Sequence, residues 1–381
     1  MIVKLGDICT IVSGSTPKST HAEYWDGEYN WITPAELNDD ASIIYTSQRK
    51  ITEQAINDSH LKSFPAGTVL LSSRAPIGKV AIAGVEMYCN QGFKNLICSE
   101  RVWNKYLFWF LKSKTEYLNS LGRGATFKEI SKEIVSNIEI PLSDFAEQQR
   151  IATILDNIAS LIDLHCKQME KLDELVKSRF IELFGTETEM GRWETTNVGD
   201  VADVCVGVVI KPSQYYCTDG IPAFRSLNIG KMQVKDSDWV FFTPEGHQKN
   251  QKSVIRENDV LVVRSGAPGT ACVATEKYDG FNAIDIIIAH PDTSRVNSVF
   301  LAMFTNMPHG MNQIQEKTGG AAQQHFNVGG YKSLQMILPP MAMQEQFAVF
   351  VEQTDKSKLA VQKSLDELET LKKSLMQQYF G

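Results

Sequence analysis

Seven cysteines, seven histidines and 45 carboxylates are the raw material for nucleophilic, metal and acid–base chemistry, and their spacing limits what they can do. A structural zinc or dithiol centre brings thiols together as Cys-x-x-Cys. Cys9, Cys89, Cys98, Cys166, Cys205, Cys217 and Cys272 form no such pair, which predicts separate thiols in a reducing cytoplasm, with no disulfide framework. The histidines (21, 60, 165, 247, 290, 309 and 325) form no His-x-x-x-His pair, so no metal site is expected. An adenine methyltransferase carries Asn/Asp-Pro-Pro-Tyr/Phe. The only Pro-Pro here, Pro339-Pro340, stands between Leu338 and Met341. No Gly-x-x-x-x-Gly-Lys-Ser/Thr phosphate loop occurs, which excludes that kind of ATP-driven motor. Gly122-Arg123-Gly124 lacks the last glycine of a dinucleotide loop and reads as a turn. Pro291-Asp292 follows a strand without the Glu-x-Lys of a magnesium-dependent nuclease. This inventory predicts no catalytic centre and no cofactor in the chain.

The elements that carry these residues follow from length and pattern. A chain of 381 residues, 43% hydrophobic and 22% charged, is expected to fold as two or three soluble units. No run of eighteen apolar residues occurs and the N-terminus lacks the build of a signal peptide, so no membrane association is expected. Net charge is −7, against the basic footprint usual for nucleic-acid binding. Residues 1–146 carry 15 basic and 16 acidic side chains, residues 186–340 carry 13 and 16, and either segment can still gather positive charge on one face.

The chain also repeats itself. Gly6-Asp7-Ile8 recurs as Gly199-Asp200-Val201. Val69-Leu70-Leu71-Ser72-Ser73-Arg74 with Gly78 recurs as Val260-Leu261-Val262-Val263-Arg264-Ser265 with Gly269. Ile140-Pro141 before Glu147-Gln148 recurs as Leu338-Pro339 before Glu345-Gln346, and Phe184-Gly185 as Phe380-Gly381. Within each copy, short apolar runs at 68–72, 79–83, 260–263 and 283–289 predict strands, and segments 104–121 and 298–306 predict helices. From Glu147 to Phe184 there is neither proline nor glycine. Ile151, Leu155, Ile158, Ile162, His165, Met169, Leu172, Val176, Arg179 and Leu183 alternate spacings of four and three, a coiled-coil seam. Val361, Leu365, Leu368, Lys372, Leu375 and Tyr379 repeat it in the C-terminal segment, with Thr354 and Lys358 in register before them. A helix of about 38 residues would reach roughly 57 Å, more than one small domain needs to cover its core. The expected fold is α+β: two β-rich domains in tandem (1–146 and 186–340), each followed by a long helix (147–185 and 341–381), the helices pairing as an antiparallel coiled coil.

This organisation resembles the specificity subunits of type I restriction–modification systems. Gly124-Ala125-Thr126-Phe127-Lys128-Glu129-Ile130-Ser131, then Ile138-Glu139-Ile140-Pro141-Leu142, then Glu147-Gln148-Gln149-Arg150-Ile151 is similar to that family's passage from recognition domain into helix. The second copy is looser, with Gly320-Ala321-Ala322-Gln323-Gln324, Leu338-Pro339-Pro340 and Gln344-Glu345-Gln346. The openings Lys4-Leu5-Gly6-Asp7-Ile8 and Asn197-Val198-Gly199-Asp200-Val201 resemble the family's as well. The resemblance spans the chain and implies reading rather than catalysis. Each target recognition domain would bind half of a split site in double-stranded DNA, and the helices would set the gap and dock two methyltransferase subunits. S-adenosylmethionine would belong to those subunits, and ATP and magnesium to motor-nuclease subunits. Groove reading calls for basic, amide and hydroxyl side chains on loops. The candidates are Arg49, Lys50, Arg74, Lys79, Lys94, Arg123, Thr126 and Lys128 in the first domain. In the second they are Arg225, Lys249, Lys252, Arg264, Ser265, Gln323, Gln324 and His325. Trp25, Tyr29, Trp31 and Trp239 are read as core. The acidic balance keeps two other readings in view, a protein-interaction scaffold and a specificity module of another modification or phage-defence system.

Overall fold

The computed structural model describes residues 1–37, 42–124, 128–318 and 325–381. The chain is mixed α+β and divides into two compact units, Met1–Lys167 with Val361–Gly381, and Gln168–Ala360. Two helices of 40 residues, Phe145–Phe184 and Met341–Phe380, each contribute one end to each unit.

The first unit contains β1 (Ile2–Lys4), β2 (Cys9–Ser13), β3 (Trp25–Ile32), β4 (Ile43–Ile44), β5 (Arg49–Ile51), β6 (Val69–Leu71), β7 (Val80–Ala83), β8 (Tyr88–Cys89), β9 (Lys94–Cys98) and β10 (Glu139–Pro141). They form a sheet ordered β2-β9-β6-β7-β4, a smaller sheet β5-β3-β8, and the ribbon β1-β10. Val69-Leu70-Leu71 is an unbroken apolar run because both faces of the main sheet are covered. Val69 and Leu71 join the cluster under helix Asn104–Ser113, while Leu70 packs with Phe64, Ala81 and Phe93 on the other face.

The second unit contains β11 (Thr195–Asn197), β12 (Ala202–Val206), β13 (Tyr216–Cys217), β14 (Ile221–Phe224), β15 (Ile229–Gly230), β16 (Gln233–Val234), β17 (Val240–Phe242), β18 (Val260–Val263), β19 (Ala271–Val273), β20 (Asn282–Ala283), β21 (Ile286–Pro291) and β22 (Gln335–Ile337). Its sheets run β12-β21-β18-β19 and β13-β17-β14-β20, with ribbons β11-β22 and β15-β16. The order β2-β9-β6-β7 in one unit thus has its counterpart in the other, as does the ribbon β1-β10.

Both units anchor long-helix ends in aromatic clusters. In the first, Ile151, Ala152 and Leu155 share a core with Phe380, whose ring lies 5.2 Å from Tyr106 and 5.9 Å from Phe110. In the second, Phe180 and Phe184 pack with Phe300 and Phe347, the Phe184 ring 4.8 Å from Phe300. Along the helices Ile151, Leu155, Ile158, Val176, Val361 and Leu365 are buried; Ile162, Met169, Leu172, Leu183, Leu368 and Leu375 are half-buried, and so are the polar His165 and Arg179. Lys358 reaches Asp173 at 2.6 Å.

Three elements differ from the sequence reading. The helix expected over 104–121 breaks at Lys114 into Asn104–Ser113 and Thr115–Ser120. Lys114 adopts φ −104° and ψ 16°, outside the helical range, and Thr115 Oγ1 donates to Lys112 O at 3.1 Å. The strand expected over 283–289 is interrupted by Asp285 at φ +48°. The third difference is a shift of register. Gln148 Oε1 accepts from Trp103 N at 2.9 Å, while its Nε2 donates to Arg101 O and Ser143 O, both at 3.0 Å. Gln344 makes the equivalent bonds: Oε1 accepts from Asn297 N at 2.9 Å and Nε2 donates to Arg295 O and Pro339 O. Gln344, and not Gln346, is the counterpart of Gln148. Both glutamines are fully buried and fasten the start of a long helix to the turn before a shorter one. Replacing either with alanine leaves one backbone N–H and two carbonyls short of a partner, with an expected cost of about 1–3 kcal/mol. Urea unfolding of Gln148→Ala and Gln344→Ala measures it, and a loss below about 0.5 kcal/mol in both would contradict this role.

In the second unit Asp259 is buried at the start of β18. Its carboxylate accepts from Arg256 N at 2.7 Å and lies 2.6 Å from His290 Nδ1. The hydrogen bond to Asp259 foremost, then that to Cys205, raises the His290 imidazole to about 9. A group raised above its unfolded value of about 6.5 contributes its full stabilisation below that pH and loses it as pH climbs through about 9. The second unit should lose on the order of 2–3 kcal/mol across that interval. Thermal unfolding of His290→Asn should show a flatter profile from pH 6.5 to 9; an equally steep one would sink the assignment.

Candidate nucleic-acid interface

The turns after β6 and β18 are built alike. Gly78 N donates to Ser72 O at 3.0 Å and Gly269 N to Val263 O at 3.0 Å, each glycine near φ +90°. A side chain is strained at that φ, and a Cβ there would press on Thr115 in one case and on Met311 and Ile314 in the other. These turns present Ser73-Arg74 and Arg264-Ser265. A later segment crosses each of them: Ile130 N donates to Ser73 O at 3.0 Å, and Phe326 N to Arg264 O at 3.0 Å.

In the first unit the crossing segment gathers four of the candidates. Arg74 and Arg123 both form β-bridges to Glu129, the second with bonds of 3.0 Å in each direction. Lys94 Nζ lies 2.9 Å from Glu129 Oε1 and 3.3 Å from Ser73 Oγ. Lys94 is buried, so its charge is spent on holding Glu129; Arg123 and Lys128 are exposed, and Arg74 is half-buried. Thr126 lies outside the described residues.

In the second unit Arg264 Nη1 lies 2.5 Å from Asp285 Oδ1, and its Nε donates to Phe326 O at 3.1 Å. Only 15% of the Arg264 side chain is exposed. Arg264 therefore braces the site, while its neighbour Ser265 faces outward with Oγ 2.8 Å from Nδ1 of the exposed His325. Ser265 and Gly266 also line a groove together with Lys231 and Lys235. Gln323 and Gln324 lie outside the described residues.

The remaining candidates sit elsewhere. Arg49 lies on the exposed edge of β5 with its guanidinium 3.5 Å from the Trp25 ring, and Lys50 beside it is exposed. Lys79 donates to Leu37 O at 2.8 Å. Arg225 is held on Asp238 O. Lys249 and Lys252 are exposed on the rim of a second groove, formed with Val206–Ile210. Among the described residues no hydrogen bond or ion pair ties Arg49, Lys50, Arg225, Lys249 or Lys252 to the two crossing segments. Trp25 and Trp31 are core, whereas Tyr29 is 40% exposed. Asp285 and Ser73 were not anticipated as parts of a site. The one visible signal for Asp285 is a lone carboxylate inside the apolar run Ala283–Ala289.

Each unit thus carries an equivalent polar turn on a matching sheet, crossed by a later segment of the same unit. Residues 1–174 match the family model described as the type I restriction modification DNA specificity domain. The chain is 30% identical to the type I restriction enzyme MjaIX specificity subunit of Methanocaldococcus jannaschii, covering 98% of this chain and 91% of that protein. It is 22% identical to the StySPI specificity subunit of Salmonella potsdam over 98% of this chain and 86% of the relative. The fold is similar to a crystal structure of the type I restriction–modification S subunit from M. genitalium, with TM-score 0.60 at 15% identity, covering 100% of this chain and 96% of that one. The chain belongs to the type I restriction enzyme specificity subunits. No helix among the described residues is long and apolar enough to cross a membrane.

Proposed function

We propose that this chain is the DNA-reading subunit of a type I restriction–modification complex, with residues 1–146 and 186–340 each recognising half of a bipartite duplex site. The observation that carries this is the pair of equivalent turns, each crossed by a later segment and each offering outward polar side chains. Arg123, Lys128 and Arg74 supply the donors of the first reading surface, and Ser265 with His325 those of the second. The segments 147–185 and 341–381 act as antiparallel spacers that set the gap and dock two methyltransferase subunits. Exposed Leu161, Leu164 and Leu175 on one helix and Leu359 and Leu371 on the other support such docking. The chain is non-catalytic and works in the cytoplasm. Adenine methylation belongs to the partners, which hold S-adenosylmethionine, and cleavage to motor-nuclease subunits using ATP and magnesium.

The test is methylation mapping of DNA modified by the chain reconstituted with methyltransferase subunits. Ser265→Ala combined with His325→Ala should relax one half of the site, at about 1–3 kcal/mol of discrimination, and leave the other half intact. Arg123→Ala combined with Lys128→Ala should weaken binding and lower the salt slope by about 1–2. Relaxation of both halves by the Ser265/His325 variant would refute the division of labour.

A further inference from the structure

Outside the two crossing segments, a cysteine, a histidine and a carboxylate line up on the second unit's main sheet. β12 and β21 pair with Asp203 opposite His290 and Cys205 opposite Ile288. That register puts Cys205 and His290 on one face, one diagonal step apart. Cys205 Sγ lies 3.7 Å from His290 Nε2, and His290 Nδ1 lies 2.6 Å from Asp259 Oδ1. The Asp259 side chain is only 3% exposed, and the Cys205 Sγ also donates to Lys252 O at 3.2 Å. One imidazole nitrogen is thus committed to a buried anion while the other faces sulfur. Asp259 holds the ring in its protonated form at neutral pH.

The other cysteines lack this setting. Cys9, Cys89 and Cys272 are buried; loss of water pushes the last two thiols up to about 12, and Cys9 is raised foremost by its hydrogen bond to Cys98. Cys166 is exposed on the central helix. Cys217 donates to Asp219 O and Phe241 O. Cys205 alone among them is half-buried with its sulfur against a histidine ring nitrogen that is itself backed by a buried carboxylate.

We propose that Cys205 is a modification site that reacts with small disulfides, His290 serving as the positioning cation and Asp259 as its orienting anion. The Cys205 thiol gives its proton to water, and its sulfur attacks one sulfur of the disulfide. A new S–S bond forms as the small molecule's own S–S bond breaks, and the departing thiolate takes a proton from water. Cys205 is oxidised, and the disulfide is reduced to one thiol plus the group left on the protein. The adduct removes the thiol hydrogen that Lys252 O accepts, so the short helix Gln251–Ser253 loses one of its ties to β12.

The test exposes the full native chain at pH 7 to 2-hydroxyethyl disulfide, a neutral probe, and follows each cysteine by peptide-resolved mass spectrometry. Cys205 should form its mixed disulfide at least about fivefold faster than the exposed Cys166, the internal reference. His290→Gln should bring Cys205 down to, or below, the rate of Cys166, with the Cys166 rate unchanged. A wild-type Cys205 no faster than Cys166 would overturn the proposal without any variant being needed. An unchanged Cys205 rate in a folded His290→Gln chain would overturn the role of the imidazole.

Discussion

Phe184→Ala is expected to destabilise the second unit by about 3–5 kcal/mol, among the largest effects a single truncation can have in this chain. Phe184 is fully buried, with its ring 5.0 Å from Phe180, 4.8 Å from Phe300 and 5.8 Å from Phe347. Its carbonyl also accepts from Trp193 Nε1 at 2.8 Å, so the strand-side segment is tied to the same spot. Removing the ring opens a cavity in a cluster drawn from both long helices and from helix Ser298–Asn306, none of which can shift to fill it without losing its own contacts. The counterpart Phe380→Ala should cost a comparable amount in the first unit, through Tyr106 and Phe110. Urea unfolding followed by tryptophan fluorescence measures both. A cost below about 1 kcal/mol for Phe184→Ala would mean that the cluster relaxes freely.

The second large effect concerns specificity. Replacing residues 186–340 with the corresponding segment of another specificity subunit should change one half of the methylated sequence completely and leave the other half and the gap as they were. Each unit has its own apolar core: Val69, Leu96, Phe110 and their neighbours in one, Val262, Ile287, Phe300 and theirs in the other. Each has its own polar turn as well, one after β6 and one after β18. The incoming segment must supply a tryptophan at the position of Trp193, because that indole caps the end of the helix at Phe184, while Gln344, outside the exchanged segment, still clamps the start of the next one. Methylome sequencing of the hybrid complex decides the matter. Simultaneous change of both half-sites in a folded hybrid would show that the units do not read independently.

The long helices were legible because a seam at alternating spacings of three and four, free of proline and glycine, fits a long helix and no shorter element. Their observed limits, Phe145–Phe184 and Met341–Phe380, fall within a few residues of the pattern. The turns carrying Arg74 and Ser265 were legible from the repeated strand-plus-glycine wording. The features that escaped depend on partners distant in sequence. Asp285 breaks an apolar run because Arg264, 21 residues earlier, holds its carboxylate, and nothing within the run announces that. Lys94 looked like a surface cation, but Glu129, 35 residues on, draws it inward. The proline landmarks Pro141 and Pro339 misaligned the second copy by two residues. The ribbons β1-β10 and β11-β22 place Ile337, and not Pro339, where Pro141 stands in the first copy, and the glutamine clamps follow that register.

The division of the helix ends between the units also sets an order of events during synthesis. The second unit is a single stretch, Gln168–Ala360, so every residue of its core is available once that stretch has left the ribosome. The first unit starts earlier but needs Val361–Gly381 to close. Until then Tyr106 and Phe110 lack the Phe380 ring, and the helix face around Leu155 lacks Leu375, Met376 and Tyr379. Chains emerge at about 5–20 residues per second, so this apolar face waits many seconds for its cover. The first half to be translated is therefore the last to be finished, and a chain truncated before residue 361 and released from the ribosome should carry a completed second unit beside a first unit still open to chaperones and proteases.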